Sequence, residues 1–127
     1  MSKIKNCIPK RCYLGGVEFT TRFVENAANG GKLGDSCTTD GSVNIQVMNY
    51  GLKQCHTQIQ NTYFHELAHN VLGMIGRIDL SEDEVLVQNV GNMLFEFMRT
   101  ADWIRIEELK HNNESEAVFN LSQINKD

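Results

Sequence analysis

The residues with the clearest capacity for chemistry lie in "TYFHELAHNVLGMIG", Thr62 to Gly76, where His65, Glu66 and His69 spell H-E-x-x-H. On an α-helix, positions i and i+4 share a face one turn apart. Both imidazoles can then turn a nitrogen to one ion, at about 2.0–2.1 Å for zinc. Glu66 stands about 100° further round the helix. That is a poor position for a ligand and a good one for reaching a water on the metal. Two neutral ligands and one carboxylate at this spacing describe metal-assisted hydrolysis. The competing reading is an ordinary amphipathic helix that carries two histidines. The pair falls along the flank of an apolar stripe, where a cleft can open, which favours the metal.

A catalytic zinc needs a third protein ligand and an open position. No third histidine follows in "HELAHNVLGMI", so the natural source is the acidic stretch "SEDEVLVQN". Glu84 and Asp83 lie at the edges of the apolar stripe of that segment and Glu82 lies off it. Glu84 is the favoured ligand because it is deepest in the segment, and Asp83 and Glu82 are the alternatives. Glu84 has a competing role, since Ser81 and Glu84 also form a capping-box pattern, S-x-x-E.

The elements that must position these side chains are legible from periodicity. Phe64, Leu67, Ala68, Val71, Leu72 and Ile75 recur at helical spacing. Thr57 and Gln60 form a T-x-x-Q capping pattern that predicts a helix start at Thr57, and Gly76 stands where a left-handed residue would stop the helix. A second helix runs from Ser81 to about Arg99 with Val87, Val90, Leu94, Phe97 and Met98 on one side. The short "RIDL" connection implies an antiparallel pair. "ADWIRIEELKH" predicts another short helix, and the polar tail from about residue 111 is expected to be partly disordered.

Before the first helix the period is two. "GGVEFTTRFVEN" sets Val17, Phe19, Thr21 and Phe23 against Glu18, Thr20 and Arg22, and "SVNIQVMNYG" sets Val43, Ile45 and Val47 against Asn44, Gln46 and Met48. Both read as strands, the second at a sheet edge. "NAANGGKLGDS" between them reads as loop. The class is α+β, with residues 1–127 as one domain.

Composition narrows the function. Of 127 residues, 41% are apolar and 22% charged, and net charge is −4; this is globular material without the basic face of a nucleic-acid binder. Lys3, Lys5, Lys10 and Arg11 form the one basic cluster, read as a solvated arm. The N-terminus has no apolar core of a secretory signal, and no run is long enough to cross a bilayer. A cytoplasmic location is expected, with Cys7, Cys12, Cys37 and Cys55 as free thiols. No C-x-x-C pair suggests a cysteine-based zinc site.

"NTYFHELAHNVLGMIG" followed by "LSEDEVLVQNVGNMLFEFM" resembles small gluzincin-type metallopeptidases of phages and bacteria, related to the ImmA/IrrE metallopeptidases. The likeness covers roughly residues 42–98, a little under half of the chain. It implies a zincin-like fold, with a short antiparallel or mixed sheet packed on the H-E-x-x-H helix and on an antiparallel glutamate helix beginning E-x-x-V. Glu84 to Val87 matches that start, and Gly91 stands where the family has a small residue. The resemblance implies one zinc per chain on His65, His69 and Glu84, with Glu66 as general base in peptide-bond hydrolysis. A peptide or protein substrate is implied, extended along the edge strand "SVNIQVMN", and a host cytoplasm if the chain is phage-encoded. Tyr50, His56 and Tyr63 are candidates for a transition-state donor, each with a structural role as the favoured reading. The alternatives are a zinc-stabilised regulatory or binding module without turnover, or a non-peptidase amide hydrolase such as the peptide deformylases. The latter would take Cys37 or Cys55 as third ligand, although the cysteine stretch typical of those enzymes is not evident.

Overall fold

The computed structural model of the chain describes residues 6–24, 33–49 and 51–108. The expectations for Lys3, Lys5, Tyr50 and the tail from residue 111 lie outside these residues. The chain divides into two compact units, Ile4–Thr100 and a second made of Met1–Lys3 with Ala101–Asp127. In the second, residues 101–105 have no regular structure and 106–108 form a helical turn.

The first unit is α+β. β1 (Arg11–Leu14), β2 (Val17–Val24), β3 (Gly34–Cys37) and β4 (Ser42–Gln46) form a four-stranded sheet in the order β1-β2-β4-β3. The pairs β1–β2 and β3–β4 are antiparallel and β2–β4 is parallel, so the sheet is mixed. β5 (Met48–Asn49) and β6 (Leu52–Lys53) make a separate small hairpin. Three helices follow: α1 (His56–Met74), the single turn α2 (Ile78–Ser81) and α3 (Glu84–Thr100).

Register assigns the two faces of the sheet, because paired residues point the same way. Val43 and Ile45 of β4 face the helices with Phe19 of β2 nearby, and all three are buried. Tyr63 and Phe64 of α1 and Phe95 of α3 complete the core, the Phe64 and Phe95 rings stacking at 5.4 Å between centroids. The other face of β4, through Asn44, stays polar and pairs with Asp35 across the sheet. Val43 and Ile45 thus keep the expected alternation, but β4 is interior. The edge beside the helices is β3, in the stretch read as loop.

Both capping boxes are corrected. The N-cap of α1 is Cys55, in extended conformation and with no side-chain cap bond, and the helix begins at His56. Gln60 instead donates its amide to the Cys7 carbonyl at 3.0 Å. At α3 the cap is Asp83, whose carboxylate accepts from the Leu86 amide at 3.1 Å, and Ser81 belongs to α2. The stop at Gly76 holds. Its φ is +81° and the Arg77 amide bonds back to the Leu72 carbonyl at 2.9 Å, which is Schellman geometry.

α3 returns antiparallel along α1, since its start lies at His65 and His69 while Phe95 lies on Phe64. Gly91 sets the spacing of the two helices. A Cβ there would stand 3.0 Å from both the His65 Cα and the Phe64 carbonyl oxygen. The missing methyl lets the backbones touch beside the first histidine.

Candidate metal centre

The helical spacing does for His65 and His69 what it predicts: their rings lie side by side with centroids 5.0 Å apart. Glu84, the first residue of α3, reaches both. Its Oε1 is 3.1 Å from His65 Nε2 and its Oε2 is 3.3 Å from His69 Nε2. The cap explains why this carboxylate is free to do so. Asp83 occupies the helix N-terminus, and the Glu84 carboxylate turns to the histidines. Among the described residues, these are the three whose ligand atoms converge, all within 4.8 Å of one another. Asp83 and Glu82 do not join them, and neither does Cys37 or Cys55.

The donor set fits a small divalent cation. Ligands at about 2.0–2.1 Å in tetrahedral array stand roughly 3.4 Å apart, and the two histidine contacts to Glu84, at 3.1 and 3.3 Å, are close to that. Two neutral nitrogens and one carboxylate are the borderline-soft set that zinc accepts, and they leave a position open. The histidine side chains are about one-fifth exposed and that of Glu84 two-thirds exposed, so solvent reaches the cluster.

The cluster lines a cleft of about 600 Å³ between β3 and the helices. Glu66 projects into it from α1 on the β3 side and is only 7% exposed. Burial pushes its carboxyl above the ordinary glutamate range, and the His69 and His65 rings and the Ser36 side chain pull in the opposite direction. Gly34 makes room for it: a Cβ there would lie 2.7 Å from Thr62 Cγ2 and 3.4 Å from Glu66 Cγ.

The outer contacts were not read from the sequence. His65 Nδ1 lies 3.0 Å from Gln88 Oε1, and Gln88 Nε2 donates to Asn92 Oδ1 at 2.9 Å. Ser81 donates to the His69 carbonyl at 3.1 Å, with its oxygen 3.4 Å from His69 Nδ1. The signal for Gln88 was present, one helical turn after Glu84, but only the packing of α3 on α1 turns it to a ring nitrogen. Asn61 was missed as well. It lies one turn before His65 and lines the cleft, and its amide makes no hydrogen bond among the described residues.

The proposed transition-state donors fare differently. Tyr63 is 1% exposed in the core, with its hydroxyl 3.7 Å from Cys12 Sγ and its ionisation pushed up by burial. His56 opens α1 and lines a second cavity. Neither lines the cleft.

All four cysteines are free thiols, and no helix of the described residues is long and apolar enough to cross a membrane. No family model, curated protein or solved structure matches the chain.

Proposed function

We propose that the protein is a zinc-dependent metallopeptidase of zincin-like architecture, with His65, His69 and Glu84 holding one zinc per chain. The observation that carries this reading is the convergence of Glu84 on both Nε2 atoms, at 3.1 and 3.3 Å, beside a buried Glu66. Zinc held there would supply Lewis acidity, lowering the pKa of a water toward 7 and polarising a carbonyl. Glu66 then takes a proton from the attacking water and returns it to the departing amine nitrogen as the C–N bond breaks. In the metal-free protein burial pushes its carboxyl up, the direction that strengthens a carboxylate as a proton acceptor. Asn61 lines the same cleft, its amide makes no hydrogen bond among the described residues, and it is the substrate-facing donor in this scheme.

The substrate lies extended along β3. β3 is the sheet edge that lines the cleft, so its free side offers backbone groups to a peptide by strand addition. The stretch "SVNIQVMN", expected to be the edge strand, does not offer this: its β4 portion is interior to the sheet. Cleavage of a peptide library tests the proposal: the wild type cuts, and Glu66→Gln retains zinc but does not. Zinc binding with no cleavage by the wild type overturns the peptidase reading in favour of a zinc-stabilised binding module.

A further inference from the structure

We propose that the second cavity, at the start of α1, binds a small amphiphile: an apolar chain with an anionic head, such as a medium-chain monocarboxylate. The cavity has a volume of about 400 Å³, within the range of small-molecule sites. His56, Ile59 and Gln60 line it from α1, on the helix face opposite His65 and His69. It is therefore separate from the zinc site, and neither proposal depends on the other.

The walls follow from the packing. Thr21 and Phe23 alternate with Arg22 on β2, share the helix-facing side of the sheet with Phe19, and form the floor with Val47. The facing wall is the segment 6–10, which ends in the basic stretch expected to be a solvated arm. Here it is pinned at three points. The Thr21 amide donates to the Lys10 carbonyl at 2.9 Å, the Thr21 hydroxyl to the Pro9 carbonyl at 2.8 Å, and the buried Gln60 amide to the Cys7 carbonyl at 3.0 Å. Ile8 is thereby held against the core. Phe23 stays 59% exposed, so the floor leaves apolar surface for a ligand to cover.

Charge selects the head group. Lys10 and Lys53 line the cavity and no carboxylate does, in a chain whose net charge is −4. Neither ammonium group makes an ion pair among the described residues. The positive end of α1 adds to the same field, because Cys55 gives no side-chain cap and the first turn holds no acidic residue. An apolar floor under an unpaired positive rim matches a chain ending in an anion and disfavours a cation of the same shape.

Calorimetric titration of the full chain with octanoate, octanol and octylammonium tests the proposal. Octanoate should bind saturably and more tightly than the other two, and its affinity should exceed that of hexanoate by about 4-fold per added methylene. Lys10→Ala/Lys53→Ala should weaken octanoate binding by about 3–10-fold. Phe23→Ala should weaken it by a similar factor, and the exposure of Phe23 means that this change spares the core. No saturable binding of octanoate, octanol or octylammonium bound as tightly as octanoate, or wild-type octanoate affinity in either variant overturns the proposal. Each of these outcomes leaves the zinc site standing.

Discussion

α1 and α3 each carry a row of polar side chains at i, i+4 and i+8, and the two rows live in opposite surroundings. On α1 the row is Thr62, Glu66 and Asn70, all buried. Asn70 Nδ2 has no partner among the described residues, and an unmet buried donor costs about 1–3 kcal/mol. Glu66 has its carboxyl pushed up by the same burial. On α3 the row is Glu84, Gln88 and Asn92, all exposed, and it meets the site from its rim. The row that would move protons is set into the fold at the expense of stability. The row that would hold and orient the metal adds almost nothing to the cost of folding.

The largest break in that contrast is Glu66→Gln. Turnover should fall by about 10²–10⁴-fold with zinc content unchanged. The metal-free variant should also be more stable than wild type at neutral pH. The folded-state pKa of Glu66 lies above its unfolded value, so folding favours the neutral carboxyl. Its contribution to stability is full below the ordinary glutamate range and declines as pH rises through the raised value. Thermal melts should therefore separate the two proteins near pH 8 and bring them together near pH 4.

Glu84→Ala should do the reverse. Zinc affinity falls by more than the ~10–100-fold that an outer-shell partner is worth, while metal-free stability moves by no more than about 1 kcal/mol. A large loss of stability in this variant would erase the distinction between the helices. Gly91→Val comes next, because its side chain meets the α1 backbone at His65. Overpacking of about 1–3 kcal/mol exceeds the helix propensity it gains, and separating the helices weakens zinc binding as well. The smallest effect is at the cap. Asp83→Ala should cost about 0.5–2 kcal/mol in denaturant melts and leave zinc affinity within a few-fold, which would distinguish the capping carboxylate from its neighbour.

Much of α1 and α3 was legible because an amphipathic period survives packing: Phe64, Ala68 and Val87 are buried as the spacing requires, and Gly76 ends the helix. The capping boxes misled because local patterns compete with other partners. Gln60 is drawn to the Cys7 carbonyl, and an extra turn, α2, moves the start of α3 from Ser81 to Asp83. Strand order was beyond local reading altogether. β4 has the polar–apolar alternation of an edge, yet the parallel pairing with β2 and the antiparallel pairing with β3 place it inside. β3 itself was hidden by its composition. Gly34 reads as a turn residue, whereas here a small residue is needed because Thr62 and Glu66 pack against it. At the site, His65, Glu66, His69 and Glu84 came from spacing, while Gln88 and Asn61 depended on tertiary contact.

Zinc stoichiometry and affinity, measured side by side on wild type, His65→Ala/His69→Ala and Glu84→Ala, test the central claim most directly. The account predicts one zinc per wild-type chain, none in the double variant and strongly weakened binding in Glu84→Ala. Zinc retained by the double variant, or wild-type affinity in Glu84→Ala, would contradict it.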